Sequence, residues 1–131
     1  MKVVLTNRTR KLHLDAPSEL GSLLGHTADE MIAVEDGTEK DAELAFVFVG
    51  ARRMRTLNRM YLGRDRVTDV IAFRLNDGDP PFHTDDGRES PVLGEVYVCP
   101  VVACRAARQY STGAEYELIL YCVHGLLHVA G

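Results

Sequence analysis

From Glu115 to Ala130 the chain reads Glu-Tyr-Glu-Leu-Ile-Leu-Tyr-Cys-Val-His-Gly-Leu-Leu-His-Val-Ala, apolar almost all round at helical spacing. A helix of that kind has to be surrounded by other elements, so the stretch predicts a central helix with a domain built round it. It is no membrane span, because no apolar run approaches the roughly 20 residues needed. The longest, Leu118 to Val123, is broken by tyrosine and cysteine. With 131 residues, 46% of them hydrophobic, the chain can bury one ordinary core, and residues 1–131 are read as a single domain.

The segments before the last helix supply what it packs on. Val3 to Leu5 reads as a short strand, and Pro17-Ser18-Glu19 opens an amphipathic helix running to about Val34, ended by Asp36-Gly37. Glu43 to Val49 is a strong strand signal, apolar enough to be buried on both faces. Ala51 to Tyr61 is a helix with Met54, Leu57 and Tyr61 on one stripe and Arg52, Arg55 and Arg59 on the opposite one. Gly63 ends it. Asp69 to Leu75 is a third strand, and Asn76 to Pro91, rich in proline and acid, is a long mobile loop. Leu93 to Cys99 is a fourth strand, in which Gly94 suggests a close backbone approach or a bulge. Pro100 starts a helix to about Gln109. The sum is an α+β fold, a small mixed four-stranded sheet packed with about four to five helices.

Charge is unevenly spread. The net charge is −4, from 15 basic and 19 acidic residues, which argues against a nucleic-acid footprint over the whole surface. Between Arg52 and Arg66, however, six arginines (52, 53, 55, 59, 64, 66) face one acid, Asp65. Such a run is either a solvated helix face or a surface for a phosphate backbone. The three cysteines, Cys99, Cys104 and Cys122, have no partners at zinc-finger spacing and read as reduced thiols. The N-terminus is too short for a signal-peptide core, so a cytoplasmic protein is expected.

On the last helix Glu117, Tyr121, His124 and His128 share one face. Two imidazoles one turn apart can point at a single metal ion, or can be core histidines bonded to carbonyls. A catalytic zinc needs at least three protein ligands, so the pair alone is an incomplete site. Gly125 stands where H-E-x-x-H peptidases carry their glutamate base, which removes most support for a peptidase. A glycine inside a helix also suggests that a ligand or another chain comes close there. Asp69, after Thr68, either supports a site through hydrogen bonds or serves the turn that starts its strand. Glu95 is either a general base or an outward-pointing residue on an edge strand. His13, His26 and His83 read as ordinary surface histidines, with His83 the one to check as a substitute ligand.

Three ordered motifs then carry a family resemblance. His124-Gly125-Leu126-Leu127-His128-Val129-Ala130-Gly131 resembles the H-G-x-L-H-L-x-G-Y-D-H signature of the YbeY family, bacterial endoribonucleases of ribosomal RNA maturation. Leu57 to Phe73 is similar to its L-N-x-x-Y-R-G-K-D-x-P-T-D-V-L-S-F segment, and Leu93 to Val98 to its L-G-D-I-x-I strand. The resemblance implies a fold distantly like that of zinc proteases and one zinc ion held by three histidines. His124 and His128 match the first two, and the third ligand would fall just beyond Gly131, so the chain as given lacks that end of the domain. It implies a metal-dependent, single-strand-specific endoribonuclease acting on ribosomal RNA and the ribosome, with neither DNA nor membrane as partner. Arg52, Arg55, Arg59, Arg64 and Arg66 would hold RNA, and Asp69 and Glu95 would assist catalysis. The family arginine after the motif tyrosine is Leu62 here, Val67 replaces the usual proline, and Glu95 the usual aspartate. Leu62 and the absent third ligand favour an alternative, a ribosome-assembly or RNA-binding factor with little or no nuclease activity.

Overall fold

The computed structural model describes residues 2–9, 17–31, 43–75 and 92–130. The helix end expected at Asp36-Gly37, the acidic loop at 76–91, and His13 and His83 lie outside the described residues. The elements run β1 (Lys2–Asn7), α1 (Pro17–Met31), β2 (Glu43–Phe48), α2 (Ala51–Leu62), β3 (Val70–Arg74), β4 (Val92–Val98), α3 (Pro100–Tyr110) and α4 (Ala114–Ala130). The fold is α+β, as the sequence predicts, and the element boundaries differ from the expected ones by a few residues.

The four strands form one mixed sheet in the order β1-β2-β4-β3. β1 and β2 pair in parallel, as do β2 and β4, while β3 runs antiparallel to β4 and forms one edge. β2 is buried along its whole length, as its unbroken apolar run requires. β4 is therefore an interior strand, and the expectation that Glu95 points outward from an edge strand is overturned: Glu95 is 0% exposed.

Strand alternation sends side chains to two separate cores. On one face, Leu44, Phe46 and Phe48 of β2 and Val96 and Val98 of β4 meet Leu20 and Leu24 of α1 and Leu118, Cys122, Leu126 and Val129 of α4. On the other, Val47, Ile71 and Tyr97 meet Met54 and Leu57 of α2. The sheet thus lies between α4 and α2. Of the apolar stripe expected on α2, Met54 and Leu57 are buried while Tyr61 is exposed with its ring edge-on to Phe73, and Asn58 is buried and donates from Nδ2 to the Arg66 carbonyl at 2.9 Å. That bond fixes the connection to β3 after Gly63 has ended the helix in the left-handed region, at φ 70°.

α4 is less enclosed than its composition suggests. Its sheet-facing side is buried, whereas Tyr116, Leu120 and Leu127 are about half exposed on the outer side. The helix approaches the sheet at two glycines. A Cβ on Gly125 would lie 2.3 Å from Val96 Cγ1, and one on Gly94 would lie 2.7 Å from Val129 Cγ1 and 2.8 Å from the Phe73 carbonyl oxygen. What Gly125 admits is therefore the protein's own sheet, not a ligand or a second chain.

Replacing Gly94 with Ala should destabilise the fold by about 1–3 kcal/mol through overpacking against a backbone oxygen that cannot turn aside. Gly125→Ala should lose less, because alanine returns about 1 kcal/mol of helix propensity. Urea unfolding midpoints measure both, and a Gly94→Ala midpoint equal to wild type would contradict the close contact.

Candidate functional site

The histidine pair sits on the flank of α4 that overhangs the β3 edge. Val70 opens β3 against Gly125, with its Cγ2 3.1 Å from where a Cβ would stand, and Arg74 closes β3 with Nη1 2.8 Å from the Val129 carbonyl. Helix and edge strand therefore run side by side from residue 125 to residue 129. His124 and His128 are exposed, their rings stack at 4.8 Å with an interplanar angle of 22°, and their Nε2 atoms face each other at 3.0 Å. They are not core histidines bonded to carbonyls.

That separation can be compared with what a shared ion requires. Two nitrogens each about 2.0–2.1 Å from a tetrahedral zinc are about 3.3 Å apart. The pair is close to that spacing, and the nitrogens that would ligate are the ones turned toward each other. Two imidazoles are short of the three ligands a catalytic zinc takes, and among the described residues no group of three His, Cys, Asp or Glu side chains converges. The residues present fit two positions of a metal site.

Asp69 reaches the same flank from the start of β3. Its Oδ1 accepts from the Val70 backbone N–H at 2.8 Å and from Thr68 Oγ1 at 3.2 Å, and its carbonyl accepts from the Cys99 N–H at 2.9 Å. These bonds are the turn chemistry that starts the strand. The carboxylate also acts on Tyr121, one turn before His124. Burial first, and then the charges of Asp69 and Glu117, push the Tyr121 hydroxyl above its ordinary range. Glu117 in turn accepts from Thr112 Oγ1 at 2.7 Å, so the acidic end of this helix face is held at the α3–α4 corner.

Glu95 is not brought to the histidines. It shares the α2 face of the sheet with Tyr97, whose hydroxyl donates to Glu95 Oε2 at 2.8 Å. Burial chiefly, together with the neighbouring Glu95 charge, raises the Tyr97 hydroxyl far above its usual value, so it remains the donor. Strand alternation puts Glu95 and Tyr97 of β4 on one side and the α4 contacts, Gly94 and Val96, on the other. Glu95, read from the sequence as a general base or an outward-pointing residue, is thus buried on the α2 side, across the sheet from α4.

The arginines also lie away from the pair. Arg52, Arg55 and Arg59 are exposed on the outer side of α2, on the opposite face of the sheet from α4, with Arg64 and Arg66 exposed in the connection that leads to β3. Asp65 gathers two of them. Arg55 donates from Nε at 2.8 Å and from Nη2 at 3.1 Å, and Arg59 Nη1 lies at 3.8 Å. The Arg55 hydrogen bond holds the Asp65 carboxyl below its ordinary value. Arg74, which the sequence reading passed over, is the arginine tied to the histidine helix. Its signal was a charge at a position where Val70 and Ala72 face inward on the same side of the strand.

Comparison with known proteins agrees with the motifs. The family model described as Endoribonuclease YbeY matches residues 5–131. The endoribonuclease YbeY of Macrococcus caseolyticus is 37% identical over 99 residues, covering 76% of this chain and 63% of that protein. That of Staphylococcus carnosus is 39% identical over 98 residues, covering 74% and 62%. The chain thus spans less than two thirds of the length of these relatives. Among solved structures, the solution structure of TM1509 from Thermotoga maritima superposes with a TM-score of 0.56 at 27% identity, covering 98% of this chain and 72% of that one.

The placement of Glu95 makes a separable expectation. Glu95→Gln keeps an acceptor for Tyr97 and should leave stability within about 1 kcal/mol of wild type, whereas Glu95→Leu strands the buried hydroxyl and should cost about 1–3 kcal/mol. Urea unfolding of the two variants decides it, and equal midpoints would refute the hydrogen-bonding role.

Proposed function

The chain belongs to the YbeY endoribonuclease family, and from that premise we propose that it is a metal-dependent endoribonuclease cutting single-stranded RNA, with ribosomal RNA in the cytoplasm as its substrate. The observation that carries this reading is the exposed pair of Nε2 atoms at 3.0 Å over the β3 edge. His124 and His128 would hold a zinc ion together with a third ligand outside the described residues. When bound, such an ion supplies a Lewis acid for a phosphoryl oxygen and a water of lowered pKa.

The residues of this chain have distinct parts in that scheme. Gly125 faces Val96, so no side chain beside the first histidine can act as a base. Tyr121 offers a hydrogen-bond donor next to His124, and Asp69 fixes the strand start beside it. Arg52, Arg55 and Arg59 would hold phosphates on the α2 side, and Arg64 and Arg66 lie along the connection from that side to β3. An RNA strand using both surfaces has to pass round the β3 edge. The α2 arginines then serve docking and the histidine flank serves cleavage, and long RNA gains more from the arginines than short RNA does.

No helix among the described residues is long and apolar enough to cross a membrane. One observation favours a second reading, an RNA-binding assembly factor with weak or no cleavage: the α2 arginines lie across the sheet from the histidine pair.

His124→Ala should abolish RNA cleavage in zinc-supplemented buffer while leaving RNA affinity within a few-fold of wild type; cleavage that survives the substitution excludes a histidine-centred nuclease. Replacing Arg55 and Arg59 together with glutamate should weaken binding to a long single strand by at least about tenfold and flatten its salt dependence. Unchanged affinity at moderate salt would remove the arginines from the RNA surface.

A further inference from the structure

Arg74 is the last residue of β3 and sits on the side of the sheet that α4 covers. Its Nη1 donates to the carbonyl of Val129 at 2.8 Å, a bond between residues 55 positions apart in the chain. Val129 directly follows His128. It is also the residue whose methyls fill the space left by Gly94, the β4 partner of Arg74. The turn of α4 that carries His128 is thus held at one corner by packing from β4 and by a hydrogen bond from β3.

We propose that Arg74 is a positioning residue for the histidine pair: by tying the His128 turn of α4 to the edge strand, it sets the spacing of the two imidazoles over that edge. The physical grounds are three. A guanidinium is a rigid planar donor, so a bond from it fixes direction as well as distance. A cation at the carbonyl end of a helix is favoured by the helix dipole, which adds to the hydrogen bond. The two rings also differ in how they are held. His124 precedes Gly125, which is clamped between Val96 and Val70, whereas His128 depends on the turn that Val129 anchors.

The inference rests on reading the pair as the working centre, and its test separates the two ideas. The full chain is compared with Arg74→Met, which keeps length and removes the donor, and with Arg74→Lys, which can still reach a carbonyl with a charged donor. Three measurements are made: the nuclear Overhauser contact between the His124 and His128 rings, zinc affinity by competition with a chromophoric chelator, and the melting temperature.

Arg74→Met should lose most of the ring-to-ring contact and bind zinc at least about tenfold more weakly, as is usual when a group behind a metal ligand is removed. Its melting temperature should fall by only a few degrees. Arg74→Lys should recover a large part of both local signals. Ring contact and zinc affinity unchanged in Arg74→Met would overturn the proposal, as would a lysine variant no better than methionine. Equal zinc affinity in wild type and His124→Ala would instead defeat the metal reading, leaving the ring contact to decide the role of Arg74.

Discussion

Glycine meeting valine twice, in opposite senses, is the contact on which the arrangement depends. Gly125 of α4 receives Val96 of β4, and Gly94 of β4 receives Val129 of α4. Each missing side chain lets a branched one from the partner element occupy its place, so the helix lies closer to the sheet than two ordinary side chains permit. The two contacts lie one helical turn apart, which fixes both the height of α4 and its rotation about its own axis. That rotation sends Leu118, Cys122 and Leu126 into the core and leaves His124 and His128 on the flank beside β3. Cys122 records how dry the contact is, since burial pushes its thiol up to about 12.

Much of this was legible in the sequence, for physical reasons that differ by element. β2 announces itself because a strand buried on both faces has no choice but continuous apolar residues, and α2 because half its surface faces water and the other half Met54 and Leu57. The family motifs place the histidine pair correctly on one helix. What was not legible is which face of the sheet each piece occupies. Glu95 reads from its residue type as either a base or an outward-pointing residue on an edge strand, yet strand alternation and an interior position bury it on the α2 side with Tyr97. Likewise, the composition of α4 predicts enclosure on all sides, while exposed Leu120 and Leu127 show that an apolar helix can be half covered. Arg74 went unread because its role depends on a carbonyl 55 residues away.

Electrostatics divides the molecule along the same plane. The α2 side carries the exposed arginines and one internal counter-ion, Asp65, which orders Arg55 through two hydrogen bonds. The α4 side carries histidines, with Asp69 and Glu117 at one end of the flank and Arg74 at the other. Imidazole nitrogens suit a cation, and an exposed arginine face suits phosphates. Keeping the two apart would spare a cation at the imidazoles the repulsion of the arginines, which at about the thickness of a sheet in salt is already much reduced.

The reciprocal glycine contact has a consequence for how this sequence can vary. Positions 96 and 125 share one volume, so a larger residue at 125 fits best where position 96 is smaller, whereas position 94 is also closed by the Phe73 carbonyl oxygen and gains no room from a smaller residue at 129. Across related chains positions 96 and 125 should therefore vary together while position 94 stays glycine, even though 96 and 125 come from separate motifs about 30 residues apart.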